Sequence, residues 1–443
     1  MTKTQTPLQA TQHLDFQPFK AWRYNTDRVK ASAVLAPPYD VISPEKQQKL
    51  YENSPFNCIR LILNKKDPKD TDQNNAYTRA RDLFQEWQKQ GVLIQESEPC
   101  FYVYRQTFKD PVTRTTKNRF ALLGRVRLQP FEKEIIVPHE KTLRGPKEDR
   151  MRLLRTVKTN FSPVFGLYKD KGFEIRSIIQ DPMNSNPLFE AEDDDKVVHT
   201  LWVLEDPDIL ARLHKALQPK KVYIADGHHR YETALEYARQ MREEKHLSET
   251  VLFPFDYMYM ALVSFDDPGF IVLPTHRIVT RLGMTGNEAM TRLKEYFKVE
   301  KVSLDRLKEM TASYDQEGNV FGLVLPEGCF LLTMIDKKKA KERMVQGKPG
   351  VWYDLNVNVL AHLIFELLEL TEDRWESVLK FEHTVDGAVV PLQKGEAEAV
   401  FLLQPPKVEM LEKMGAVNER MPQKSTYFYP KLATGLVFYS HKE

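Results

Sequence analysis

The chain has 443 residues, enough at roughly 150 residues per domain for about two or three domains with buried cores, so disorder is not expected. Its 64 Lys and Arg against 62 Asp and Glu leave a net charge of +2, which argues against a protein that coats a polyanion, although a local basic patch can still hold a phosphate. The three cysteines, Cys58, Cys100 and Cys329, stand far apart with no Cys-x-x-Cys pair, which supports neither a disulfide framework nor a structural zinc site and fits a reducing compartment.

In chain order, the opening stretch MTKTQTPLQATQHLDFQPFKAW is polar, without an apolar core flanked by basic residues, and no later apolar run is long enough to cross a bilayer. A cytoplasmic protein without a membrane partner is expected. Pro37-Pro38-Tyr39-Asp40 holds its backbone extended, and Ser43-Pro44-Glu45 opens a helix with Ser as N-cap and Pro at the first helical position. Between Asp72 and Gln90, apolar residues recur every three or four positions, which predicts an amphipathic helix ending before Gly91. Phe101–Tyr104 and Phe120–Leu123 read as strands joined by a polar hairpin loop. Val137-Pro138-His139-Glu140-Lys141-Thr142 reads as a loop leading into a helix from about Lys147 to Lys158.

A turn-rich segment beginning near Asn184 and containing Asp193-Asp194-Asp195 suggests a soft domain boundary. Strand and helix then alternate, at 199–204, 207–217, 222–225 and 231–242, with further strands expected at 257–265 and 322–325 and a helix at 355–370. Asp267-Pro268-Gly269 makes a turn before a short strand, at whose end come His276 and Arg277, and Lys337-Lys338-Lys339 reads as a solvated turn. The expected architecture is α/β or α+β, mixed sheets with flanking helices. Its expected divisions are an N-terminal α+β region at 1–195, a nucleotide-binding subdomain at 196–285 and a C-terminal α/β region at 286–443.

The densest chemistry lies in Tyr223-Ile224-Ala225-Asp226-Gly227-His228-His229-Arg230-Tyr231-Glu232. A strand runs into Asp-Gly, and the next residues start a helix whose free amides and dipole attract anions. His228, His229 and Arg230 add donors for phosphoryl oxygens, while Asp226 can hold magnesium or accept a proton. An N-capping Asp with solvent-facing neighbours is the bland alternative, but neither capping nor packing requires His-His-Arg together. Asp226, His228 and His229 can also be read as transition-metal ligands completed by His139 or His276, which would make a metal-dependent hydrolase; adjacent helical histidines, however, do not share a face. His139 and Glu140 form a second candidate cluster with Lys147 and Arg150, although HExxT is not the zinc-binding HExxH. Near the carboxyl terminus, Lys424 and Ser425 can hold phosphate and the following aromatics can stack on a base. Asp40 is a carboxylate on a rigid stretch and a third candidate base after Asp226 and Glu140.

Five segments, APPYDVI, PHEKT with its following PKEDR, ADGHHRYETA, PTHR and MPQKSTYFYPKL, together resemble, in the same order and over nearly the whole chain, the bacterial and archaeal family known as domain of unknown function 1015. Within them, the strand, Asp-Gly-His-His-Arg turn and helix resemble the phosphate-contacting turn of the ParB and sulfiredoxin superfamily. That superfamily binds nucleotides and includes free-serine kinases with a similar Asp-Gly-His-His-Arg. The resemblance implies nucleotide phosphates at Gly227, His228, His229 and Arg230, and a mild lean toward hydroxy-amino-acid metabolism. Sulfiredoxin has a Cys where this chain has His228, so sulfinic-acid reduction is not implied. The helix-turn-helix and basic run of ParB proteins are not evident, so no nucleic-acid partner is expected. The leading expectation is a kinase that uses ATP or ADP with magnesium on a hydroxylated metabolite such as serine; a nucleotide-sensing regulatory protein without turnover is the alternative from another class. Exposed-looking aromatics near the carboxyl terminus are compatible with a homodimer.

Overall fold

The computed structural model describes residues 13–140, 144–248, 250–312, 318–417, 419–422 and 424–442. Lys141, Thr142 and Gln423, which belong to two of the candidate segments, lie outside the described residues. The fold is mixed α/β. A nine-stranded sheet contains Phe16–Gln17 (β1), Phe101–Lys109 (β2), Thr116–Arg127 (β3), Ile136–Val137 (β4), Val164–Tyr168 (β5), Phe189–Glu192 (β6), Val198–Leu204 (β7), Val222–Asp226 (β8) and Tyr257–Ser264 (β9), in the spatial order β4-β8-β5-β9-β3-β2-β7-β6 with β1 added to β3. The pairs β4–β8 and β5–β9 are parallel and the others antiparallel.

The 101–104 and 120–123 runs form the expected hairpin, extended to 9 and 12 residues. Asp193, Asp194 and Asp195 make the turn between β6 and β7, so residues on both sides of position 195 contribute to one sheet. All eight residues of β9 are buried, as befits an inner strand covered on both faces. Met258, Met260 and Leu262 join a core beneath the helices at 207–217 and 228–244, while Tyr259, Ala261 and Val263 join the larger core on the opposite side.

The chain next adds Ile271–Leu273 (β10), which pairs with a late strand at 427–429, and then builds a second, six-stranded antiparallel sheet. Its strands are His276–Val279 (β11), Phe297–Val302 (β12), Val320–Leu325 (β13), Gly328–Met334 (β14), Leu379–Glu382 (β15) and Ala399–Leu402 (β16), in the order β12-β14-β13-β16-β11-β15. Tyr427–Tyr429 (β17) returns to β10 in antiparallel register. This pairing brings the carboxyl-terminal segment back beside the first sheet, and it is what makes the site.

Four helices matter for position: Pro44–Asn53 (α1), Arg144–Val157 (α2), Pro207–Leu217 (α3) and His228–Glu244 (α4). The Ser43 hydroxyl caps α1 by accepting from the Lys46 amide, and Asp206 caps α3 in the same way. The helix expected from Asp72 starts at Ala76, because Asn75 caps it and Thr71 to Asn74 close a turn. The 355–370 segment is helical but broken by a π-helical stretch at Leu360–Ile364. The Lys337-Lys338-Lys339 run is solvent-facing, yet it is the first turn of a helix, Lys337–Arg343, rather than a turn, because the Asp336 side chain accepts from the Lys338 and Lys339 amides. Among the described residues, no helix is long and apolar enough to cross a membrane.

Candidate functional site

Strand β8 ends in a register shift between Ile224 and Asp226, which re-aims the strand end, and Gly227 follows at φ +89°. Only glycine takes that conformation without strain, and a Cβ there would come within 2.9 Å of the Arg230 guanidinium. Gly227 is the N-cap residue of α4 and supplies no side-chain cap, while its carbonyl accepts the first helical bond, from the Tyr231 amide at 3.0 Å. The amides of His228, His229 and Arg230 therefore precede the helical ladder, at the positive end of a 17-residue helix.

The side chains of the turn divide into an inner and an outer set. Asp226 lies between two cations: Lys431 Nζ is 2.8 Å from one carboxylate oxygen and Arg230 Nη2 is 2.9 Å from the other. Burial opposes the negative charge, but Lys431 and Arg230 outweigh it and hold the carboxyl well below the usual range. The second Nη of Arg230 donates to the Pro163 carbonyl, so this guanidinium is folded back under the turn. His228 is buried, with its ring 4.7 Å from that of His139, and its Nε2 accepts from the His139 amide at 3.3 Å. Burial keeps the imidazole of His228 neutral, its pKa well below the usual value. His229 alone of the pair is partly open, close enough to Glu232 and Asp40 to feel both charges.

Around this turn the other predicted segments converge. The Met421 amide donates to the His139 carbonyl at 2.7 Å, and the Ser425 amide reaches Glu140 Oε1 at 3.3 Å. His139 Nδ1 lies 2.5 Å from the Ile224 carbonyl and so carries the proton, leaving Nε2 to accept from Thr426 Oγ1 at 3.1 Å. Burial drives the His139 pKa down to about 4. Burial likewise pushes Glu140 up to about 7, against the lowering effects of the Ser425 amide, Lys424 and Lys431. Lys424 is exposed, and Asp40, on a 3-10 turn at Tyr39–Val41, is exposed and acts electrostatically on Lys431 and His229.

Some expected residues stand further back. Lys147 Nζ binds Glu232 at 3.1 Å, joining α2 to α4. Arg150 donates to Asp149 and the Ile62 carbonyl, packs over the Tyr39 ring at 4.0 Å, and lines with Arg230 a cavity of only about 50 Å³. Arg277 donates to the Lys424 carbonyl at 3.1 Å, and burial lowers it to about 10. His276 begins β11, where its Nδ1 accepts from the Leu403 amide and burial lowers its pKa to about 3; none of these contacts involves the turn.

The arrangement does not fit the metal-holding role expected of Asp226, because each of its oxygens already faces a cation. It does not favour the transition-metal reading either: His139 spends both ring nitrogens on the Ile224 carbonyl and Thr426, His228 Nε2 accepts from the His139 amide, and among the described residues no three His, Cys, Asp or Glu side chains cluster as a metal site.

Sequence reasoning missed Lys431, whose ammonium is held above its usual pKa by Asp226 and Asp40 despite burial. It also missed the residues that aim it. Gln106 Nε2 donates to the Lys431 carbonyl at 2.9 Å, and the buried Arg119 donates to the carbonyls of Tyr429 and Pro430 and to Gln106 Oε1. Nothing in the local pattern of β2 or β3 marks those two polar residues as different from surface ones.

Fold and site together define a mixed α/β protein with a glycine-started helix terminus flanked by a raised carboxyl and a buried ion-paired lysine. The chain belongs to the family described as "Protein of unknown function (DUF1015)", which matches residues 16–358. None of the curated proteins matches the sequence. Among solved structures it is similar to free serine kinase in complex with AMP, at 15% identity and TM-score 0.33, over 66% of this chain and 83% of that one. It is also similar to a variant of free serine kinase in complex with ADP, at 13% identity and TM-score 0.34, over 66% and 84% of the two chains. A third, a conserved hypothetical protein from Pyrococcus furiosus, shows 15% identity and TM-score 0.34 over 67% and 89%.

Proposed function

We propose that this protein is a nucleotide-dependent phosphotransferase, a small-molecule kinase that uses ATP or ADP to phosphorylate a hydroxylated metabolite, serine or a relative. The observation that carries the reading is the placement of Glu140, pushed up to about 7 by burial, within electrostatic reach of Lys431 and of Asp226, the residue that precedes the Gly227 turn into α4. A base titrating near neutrality next to an anion-binding turn suits removal of a hydroxyl proton as phosphate is transferred. In this reading the amides after Gly227, with His229 and Lys424, receive the phosphates, and Lys431 and Arg230 keep Asp226 from repelling them. Glu140 takes the proton of the acceptor hydroxyl, whose oxygen bonds to the terminal phosphorus. The bridging P–O bond breaks, and its electron pair leaves with the shortened nucleotide.

Asp226, held ionised by two cations, is a poor proton acceptor, which favours Glu140 among the candidate bases. Magnesium belongs to the proposal only as a companion of the nucleotide's own phosphates, and no step is assigned to it. Serine rests on the resemblance of Asp226–Arg230 to the run in free-serine kinases. The test is twofold. A thermal-shift series with ATP and ADP should show stabilisation of the folded chain, and mass spectrometry after incubation with hydroxy amino acids should show a phosphorylated product. Glu140→Gln should keep the shift and lose the product by 10²-fold or more. Stabilisation without product in the parent protein would favour the regulatory reading instead, and no stabilisation by either nucleotide would refute both.

A further inference from the structure

Beside Lys431 the structure opens into a cleft of about 780 Å³, large enough for a ligand of nucleotide size. Its lining includes aliphatic Pro37, Val41 and Leu50 from the N-terminal segment, the rings of Tyr427 and Tyr429, and Lys431 itself, together with the acidic turn at 193–195, whose carboxylates pair with His199, Lys49 and Lys46. The two tyrosines are second neighbours on β17, so their side chains leave the same face of the strand, with ring centroids 6.5 Å apart and planes 32° from parallel. Tyr427 is held in place by two neighbours: the His383 ring stacks on it at 3.5 Å, with His383 Nδ1 facing the Pro274 carbonyl at 3.2 Å, and Lys431 Nζ stands over the Tyr427 ring at 4.9 Å. The segment that carries both rings is clamped by Arg119 and Gln106 through the carbonyls of residues 429, 430 and 431.

Lys431 therefore has two neighbourhoods. Its ammonium binds Asp226, the residue that precedes the Gly227 turn, and its side chain lines the aromatic cleft. A molecule that is anionic at one end and planar and apolar at the other would span them. We infer that the cleft is the nucleoside subsite, in which the base lies against the Tyr429 ring and the edge of Tyr427 while the phosphate chain passes Lys431 to reach the amides of α4. The inference rests on the phosphotransferase reading, and it assigns to the tyrosines the discrimination between a nucleotide and a bare polyphosphate. Stacking tolerates any base because every base offers a π face.

Calorimetric titration of the full chain with ADP and with inorganic tripolyphosphate, a probe that has the phosphates and lacks the base, tests it. Tyr427→Leu/Tyr429→Leu should weaken ADP by tenfold or more and change tripolyphosphate affinity less than twofold; the retained tripolyphosphate binding also shows that the variant folds. Unchanged ADP affinity in the variant would overturn the inference. So would an equal loss for both probes, because the tyrosines would then act by placing Lys431 rather than by stacking. A parent protein that binds tripolyphosphate as well as it binds ADP would remove the base subsite and leave the phosphate turn standing, whereas one that binds neither would bring down the phosphotransferase reading as well.

Discussion

Glu140→Gln should stabilise the protein at alkaline pH while it removes turnover, and the size of the effect follows from the structure. The ordinary carboxyl value of 4.5 is raised to about 7 in the folded state by burial. A group whose folded pKa is raised contributes stability that is fully present below the unfolded value and is lost as pH rises through the folded value. For Glu140 that window runs from about 4.5 to about 7. At about 1.4 kcal/mol per pK unit, the ionised Glu140 costs the folded state on the order of 3 kcal/mol above pH 8, and the neutral amide of Gln does not incur it. Isothermal urea unfolding of the parent and of Glu140→Gln at pH 4.5, 6, 7 and 8.5 measures this. The stability difference should be near zero at pH 4.5 and grow to about 3 kcal/mol at pH 8.5. A difference that stays constant across that range would show that Glu140 titrates alike in both states, and the case for it as a base poised near neutrality would go with it.

The Asp226–Lys431 pair predicts coupled stability. Asp226→Asn, which leaves Lys431 without its carboxylate, should destabilise by about 2–4 kcal/mol, and Lys431→Met, which leaves Asp226 with Arg230 alone, by about 1–3 kcal/mol, while the double variant should cost at least about 1 kcal/mol less than their sum; additivity would refute the pairing. Gly227→Ala should lower stability by about 1–2 kcal/mol, since it demands φ +89° of an L residue and pushes on the Arg230 guanidinium; unchanged urea unfolding would mean the turn is not held as described. Acid should unfold the protein early, because burial lowers His139 to about 4 and His276 and His441 to about 3, and the nitrogens of His441 are closed off without partners. The stability these histidines contribute is complete above pH 6.5 and is lost as pH falls toward those values. His441→Phe should therefore lose about 2 kcal/mol less than the parent between pH 7.5 and 5; an equal loss in both would remove His441 from the account.

Much of the local structure was legible in the chain because its causes are local. Ser43-Pro44 and Asp206-Pro207 start helices through their own caps, and the α3 bounds agree with the pattern to the residue. The Asp-Gly-His-His-Arg run announced a strand, a sharp turn at glycine and a helix start, and those are what Val222–Glu244 form. His139 and Glu140 were visible as chemistry, and the fold brings them to the turn along with Ser425 and Asp40. Tertiary structure alone decided which way each side chain faces. His228 and Arg230 look alike with His229 on paper, yet they turn inward, to the backbone of His139 and to Asp226 and the Pro163 carbonyl. Lys424 and Lys431 are equal cations in one segment. Only the second pairs with Asp226, because Arg119 and Gln106, more than 300 residues away, take hold of the carbonyls around it. Caps, turns and periodicity act over a few residues and are written in sequence, whereas a buried charge is placed by partners that meet only when the sheet closes.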